Sequence, residues 1–306
     1  MRNRVEAPPL IAVLPYGTKP GRGLGAIALN LLHWPLGAPV LAPGSTIANL
    51  GPDDHLLLYP ATWIYFRSRD DVKAQLSVMV GEPEAYHWRH MRLLHWFHGR
   101  LFRILTSNAR LLRNTPNAVF FSCGHTWVPE WETLDCSKTR MLSIIASAKR
   151  SLTGHKLRHR TIDWLRTAGV DVEIMGGGYR RFEKKSEGLA SYRYSIVIEN
   201  CREETYFTEK LIDAMLCETV PIYWGAPDVE AFFDGRGIIV CKSLDEIKAA
   251  VAALSVADYE SRREAIASNR LRAATYAHYE RRAAQLVQDE WTATADSASR
   301  PTGGAR

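Results

Sequence analysis

Between Tyr194 and Phe233 the chain reads YSIVIENCREETYFTEKLIDAMLCETVPIYWGAPDVEAFF, and this stretch constrains the fold more than any other. Ser195 to Ile198 is a short β-branched run of the kind that forms a buried strand, and it stops at the polar pair Glu199 and Asn200. Thr208 has the chemistry of a helix N-cap. From Glu209 an apolar stripe of Leu211, Ile212, Met215 and Leu216 recurs at helical spacing. Val220 to Tyr223 is a second buried strand, closed by Trp224, Gly225, Ala226 and Pro227, where glycine permits a tight turn and close approach of a ligand. Strand, helix and strand in this order make a unit of a parallel α/β sheet.

The helix start also points to a ligand. Its free amides and positive dipole end face the carboxyl edge of the preceding strand, an arrangement suited to phosphate. Lys210 sits in the first turn, where a cation is unfavourable by a few tenths of a kcal/mol up to about 1 kcal/mol; a bound anion reverses that sign.

The N-terminal half repeats the α/β pattern. Leu10 to Leu14, Leu56 to Tyr59, Leu76 to Val80, Ile104 to Thr106 and Val119 to Ser122 are candidate strands. The loop YGTKPGRGLG after the first is glycine-rich, yet it lacks the Gly-Lys-Ser/Thr ending of a phosphate loop and the spacing of a dinucleotide fingerprint. The polar run TLDCSK, Thr133 to Lys138, reads as a linker. The expected division is therefore 1–138 for a first domain, 139–292 for a second, and 293–306 for a small, polar, disordered tail.

At 306 residues, with 46% hydrophobic and 24% charged, the chain suits two ordinary globular domains. Its charge of +6 fits an anionic ligand or membrane surface, and no nucleic-acid recognition motif accompanies it. Five scattered cysteines, Cys123, Cys136, Cys201, Cys217 and Cys241, lack metal-type pairing and suggest a reducing cytosol. No stretch approaches the roughly 20 apolar residues of a membrane span. The arginine-rich segment from Arg262 to Arg282 is a candidate for peripheral contact with an inner membrane, against the commoner reading of a solvated helix face.

ENC, seven residues, YFTEKLIDAM and then TVPIYWGAP resemble, in order and spacing, the C-terminal signature of the family 10 glycosyltransferases, the α-1,3/1,4-fucosyltransferases that use GDP-fucose. The resemblance is good from about Lys138 to about Ala250, weaker upstream, and departs at Cys201, where the family usually has a small residue such as Ser or Thr. It implies a GT-B fold, two Rossmann-like domains facing a central cleft, with the second domain binding the nucleotide sugar and the first the acceptor. Glu209 is then expected to hold the ribose and Lys210 the diphosphate, with Asn200 and Tyr206 lining the same pocket. Upstream, MLSIIASAKRSLTGHKLRHRTIDWL resembles the family's strand–loop–helix in which an arginine clamps the pyrophosphate; Arg158 matches best, Arg160 next. Gly176 to Gly178 resembles its glycine turn.

The implied activity is an inverting transfer of fucose from GDP-fucose to a glycan hydroxyl, in an α-1,3-type linkage. No metal or other cofactor is expected, because no Asp-X-Asp motif is present and the helix dipole, lysine and arginine can neutralise the leaving diphosphate. Glu82, in the turn Val80-Gly81-Glu82-Pro83, resembles the family's glutamate at the corresponding strand end and is the expected base; Glu84 is the alternative. In HWRHMRLLHWFH the pairs His87/His90 and His95/His98 have helical spacing. The interleaved aromatics favour an amphipathic helix lining a cleft, in contact with sugar, over a metal site. Membrane-anchored animal relatives contrast with this chain, which reads as a bacterial, cytoplasmic form. Two other readings stay open: a related enzyme using another nucleotide sugar, and a catalytically silent module binding a nucleotide or glycan.

Overall fold

In the computed structural model, which describes residues 8–21, 23–69 and 71–299, each strand expected above is a strand. The first sheet contains β1 (Ile11–Val13), β2 (His55–Leu58), β3 (Gln75–Val80), β4 (Ile104–Thr106) and β5 (Ala118–Phe120). The second contains β6 (Arg140–Ile145), β7 (Glu173–Met175), β8 (Tyr192–Ile198), β9 (Val220–Trp224) and β10 (Ile239–Val240). The helices are α1 (Trp63–Phe66), α2 (Glu84–Phe97), α3 (Ala109–Asn114), α4 (Thr153–Thr167), α5 (Glu209–Leu216), α6 (Leu244–Ala252), α7 (Val256–Ser261), α8 (Arg263–Ala274) and α9 (Tyr279–Ser299). Two compact units result. One comprises Met1–Gly81, His87–Phe121 and Glu280–Arg306, the other Glu82–Tyr86 and Ser122–Tyr279.

In the first unit the strands lie in sequence order, β1-β2-β3-β4-β5, each pair parallel. Alternate residues explain why these apolar runs are strands buried on both faces. Leu56, Leu58, Leu76, Val78 and Val80 pack with Ile64, Tyr65, Met91, Leu94 and Leu111 of α1, α2 and α3. The intervening Val13, Leu57, Met79 and Leu105 are also fully buried.

Helix α9 belongs to this unit. The Glu280 carboxylate accepts from the Tyr59 hydroxyl at 2.9 Å and meets His33 Nδ1 at 2.8 Å, while Arg103 pairs with Glu290 at 2.8 Å. Residues 293–299, expected to be disordered, continue the helix, because their alanines favour it and charge pairing anchors the preceding turns. Residues 300–306 lie outside the described residues.

The second unit has the order β7-β6-β8-β9-β10, also parallel throughout, so the winding reverses between β6 and β8. Helices cover both faces. Leu157, Ile162 and Leu165 of α4 pack with Ile144, Ile196 and Ile222 on one side. Leu211, Ile212 and Met215 of α5 pack with Val197 and Tyr223 on the other. In such sheets ligands bind beyond the carboxyl ends of the strands flanking the reversal.

The run Thr133 to Lys138 is not a free tether, since Leu134 packs on the second unit's core. Lys138 is half-buried there, donating to the carbonyls of Ala190 (2.7 Å) and Cys217 (2.6 Å) and to Thr219 Oγ1 (3.1 Å). It thereby caps the end of α5, where Glu218 turns left-handed at φ 56°.

Candidate active site

The carboxyl end of β8 delivers Glu199 into the interior with no exposed surface. Its two oxygens accept from the Thr208 amide at 2.8 Å and the Thr208 hydroxyl at 2.7 Å. Thr208 is the expected N-cap of α5, its Oγ1 facing the Lys210 amide at 3.4 Å. The helix start is therefore clamped to the strand end by one buried carboxylate. In the sequence Glu199 stands out as the first of the polar pair at the strand end and within ENC, with no role assigned to it.

Lys210 Nζ turns back over this clamp, 2.9 Å from Glu209 Oε1, 3.0 Å from Thr208 Oγ1 and 3.5 Å from Glu199 Oε2. Burial alone would raise the pKa of Glu209, but Lys210, then Lys185 and His125, outweigh it and hold the carboxyl well below the usual range. For Lys210 burial pulls the other way, and Glu209 and Glu199 more than compensate, so its pKa is raised. Both groups are thus ionised at neutral pH.

Helix α4 supplies the second cation. Arg158, 5% exposed, donates Nε–H to the Ile198 carbonyl at 2.8 Å and Nη2–H to Asn200 Oδ1 at 2.9 Å. Burial lowers its pKa against the opposing pull of Glu199 and Glu209, and a guanidinium starts high enough to stay charged. Arg160 is exposed on the same helix and does not reach the cluster.

The close seating of α4 depends on Gly154, whose amide donates to the Asn200 carbonyl at 3.0 Å. A Cβ there would lie 1.8 Å from the Glu199 carbonyl oxygen. Gly225 serves a related purpose. Expected to admit a ligand, it instead admits protein: a Cβ would lie 2.2 Å from the Tyr223 hydroxyl and 2.7 Å from Glu199 Cγ. At Gly176, φ 112°, a Cβ would lie 2.3 Å from the Ala146 carbonyl oxygen, so the glycine turn lets the loop after β7 press on the one after β6.

Tyr206 is 3% exposed and packs with Cys123, Cys201 and Tyr279. Behind α5, Asp213 is fully buried, paired with Lys185 at 2.6 Å and accepting from the Thr126 hydroxyl (2.6 Å) and the Trp127 amide (3.0 Å). Asp213 lies within the run YFTEKLIDAM, with no role assigned to it from the sequence, and Lys185 lies in no motif singled out there.

Glu82 follows β3 but folds with the second unit. Its side chain keeps an exposed face. Partial loss of solvent nevertheless raises its pKa, opposed by Lys210 and reinforced by Glu209. The next turn is held to the same loop, the Glu84 amide donating to Glu203 Oε2 at 3.4 Å. Glu82, Arg158, Asn200, Tyr206, Glu209 and Lys210 are thus gathered about one strand end of the second unit. Chemically the set offers two fixed cations and a helix start for an anion, buried carboxylate oxygens for hydroxyls, and an exposed carboxylate of raised pKa.

Residues 136–264 match the sequence model described as "Glycosyltransferase family 10 (fucosyltransferase) C-term". That segment is what carries the similarity to glycosyltransferase family 10. An α-(1,3)-fucosyltransferase of Helicobacter pylori is 36% identical over 72 residues, a match spanning 22% of this chain and 15% of that protein. A crystal structure of an α1,3-fucosyltransferase superposes with a TM-score of 0.51 at 15% identity, covering 100% of this chain and 94% of the other. An α,α-trehalose 6-phosphate synthase from Burkholderia multivorans gives 0.54 at 11% identity, covering 82% and 74%. The fold is that of the GT-B glycosyltransferases. The matched segment contains β6 to β10 and, with them, Arg158, Asn200, Tyr206, Glu209 and Lys210; Glu82 lies outside it.

In the arginine-rich segment considered for membrane contact, Arg262 pairs with Asp258 at 2.9 Å, Arg263 with Glu260 at 2.8 Å and Arg270 with Glu218 at 2.5 Å, while Arg272 and Arg281 are exposed. Among the described residues no helix is long and apolar enough to cross a membrane.

Proposed function

We propose that this chain is an inverting fucosyltransferase that moves fucose from GDP-fucose to a hydroxyl of an acceptor glycan. The observation that carries the reading is the convergence of Arg158 and Lys210 on the reversal point of the second sheet, inside the family 10 segment. Both cations are pre-oriented by protein partners, so little reorganisation accompanies the charge that develops on a departing diphosphate.

In this mechanism Glu82 accepts the proton of the acceptor hydroxyl as that oxygen attacks the anomeric carbon. The bond from that carbon to the diphosphate oxygen breaks, and GDP leaves with the electron pair. A raised pKa suits Glu82 to this task, because it makes the carboxylate a stronger base than an ordinary glutamate. Glu209 would accept from the ribose hydroxyls, and Lys210 would exchange part of its contact with Glu209 for phosphate oxygen. Arg158 retains N–H groups beyond the two that hold Ile198 and Asn200. The chain's own cations do this electrostatic work without a metal. The buried, unpaired thiols of Cys123, Cys201, Cys217 and Cys241 support a reducing, cytoplasmic setting.

The deciding experiment incubates purified protein with GDP-fucose and a panel of acceptor glycans, with GDP binding followed by calorimetry. Transfer with inversion at the anomeric carbon is expected. Neither transfer nor hydrolysis, together with no GDP binding, would overturn the proposal; GDP binding without turnover would leave a silent binding module as the better description.

A further inference from the structure

From Ala85 to Pro129 the chain contains six arginines and no Asp, Glu or Lys, although its formal charge is only +6 overall. The whole excess charge therefore resides in this stretch, and the remainder of the sequence sums to neutrality. Such asymmetry sets up a local positive field that a uniformly basic surface would not.

The structure shows where part of it is displayed. Within the first unit, α2 buries Met91 and Leu94, at 5% and 0% exposure, against the sheet. The opposite side of the helix carries Trp88 at 49% and Trp96 at 67% exposure, with Arg89 and Arg92 exposed between them. Arg89 lies 5.2 Å from the Trp88 ring centre and Arg92 5.6 Å from that of Trp96. Phe66, 62% exposed, extends the aromatic surface through Phe97, 5.4 Å away. His95 ties the helix to Thr115 at 3.1 Å, next to α3 with its exposed Arg113.

Large aromatic rings turned to solvent cost hydration free energy, and arginines beside them exclude an ordinary apolar packing partner. An anionic phospholipid surface satisfies both. Indole rings favour the headgroup level, arginine stems lie along the apolar boundary, and guanidiniums meet lipid phosphate. We propose that the outward face of α2 docks the protein on an anionic lipid surface. This assignment does not depend on the donor or the transfer reaction.

Co-sedimentation of the full chain with vesicles tests it. Binding is expected to vesicles of phosphatidylcholine with phosphatidylglycerol, to be absent with phosphatidylcholine alone, and to be lost at about 1 M salt. The double variant Arg89→Glu/Arg92→Glu should weaken partition by at least about tenfold, each exposed charge contributing to surface attraction. Trp88→Ala/Trp96→Ala should weaken it while preserving the circular dichroism spectrum. Equal behaviour of the two vesicle types, or full binding by both folded double variants, overturns the proposal. So does capture of a soluble anionic glycan by this face with no vesicle binding.

Discussion

Lys210 Nζ lies 2.9 Å from Glu209 Oε1 and 3.5 Å from Glu199 Oε2, so one ammonium is shared by two carboxylates that are 6% and 0% exposed. Removing it would leave uncompensated buried charge, which typically costs about 3–5 kcal/mol. Lys210→Met is expected to lower unfolding stability by this order in urea and to weaken GDP binding. The pH dependence has a definite sign. Glu209 has a depressed folded pKa, so its stabilisation is complete above its unfolded value of about 4.5 and is lost as pH falls below it. The stability gap between wild type and Lys210→Met should therefore narrow in acid.

Gly154→Ala tests the seating of α4. The added methyl would meet the Glu199 carbonyl oxygen at 1.8 Å, a contact between two backbones that no rotamer can relieve. Helix α4 must retreat, taking Arg158 from Asn200. Overpacking usually costs about 1–3 kcal/mol, and this contact belongs at or above the upper end. Calorimetry should show GDP affinity falling even though no donor group is removed.

The strands and the Thr208 cap were legible because each depends on local pattern, apolar runs and capping chemistry, whereas Arg158 was singled out by resemblance to the family's strand–loop–helix. Arg158 and Arg160 differ by two positions, and helix periodicity alone places them on different faces. What lay beyond the sequence was long-range. Glu199 becomes central only when α5 folds back onto β8, Lys185 meets Asp213 across 28 positions, and α9 returns to the first sheet. Gly225 was read as space for a ligand, because nothing local says that the Tyr223 hydroxyl occupies it. Spacing identified α2 as a helix with an aromatic face, and the structure adds that Trp88 and Trp96 on it are exposed.

Glu82→Gln separates donor binding from proton transfer. The amide keeps the size of the side chain but cannot take a proton, and Glu82 is exposed enough for the fold to tolerate it. GDP affinity should remain within about threefold, whereas transfer should fall by about 10²–10⁴-fold, the range for loss of a general base. Turnover equal to wild type would remove Glu82 from the mechanism and direct attention to Glu84. In the wild-type enzyme the acidic limb of the transfer profile should lie above that of an ordinary glutamate, because loss of solvation raises the Glu82 pKa and exceeds the opposing effect of Lys210.

His55, fully buried at the start of β2, lies with its ring centre 4.7 Å from that of Phe102 and the planes tilted by 59°, and neither ring nitrogen has a hydrogen-bond partner among the described residues. Burial lowers its pKa from 6.5 to about 4, despite the opposing pull of Asp54 and Asp53. The unfolded chain therefore binds a proton that the folded chain refuses throughout this window. Stability should decline as pH falls from about 6.5 and level off below about 4, with a loss on the order of 3 kcal/mol from this group. His55→Leu removes both the titration and the unpartnered nitrogens. Urea unfolding at a series of pH values should show the variant gaining on wild type as the solution is acidified. A constant difference between them would mean that the ring is protonated equally easily in the folded and unfolded chains.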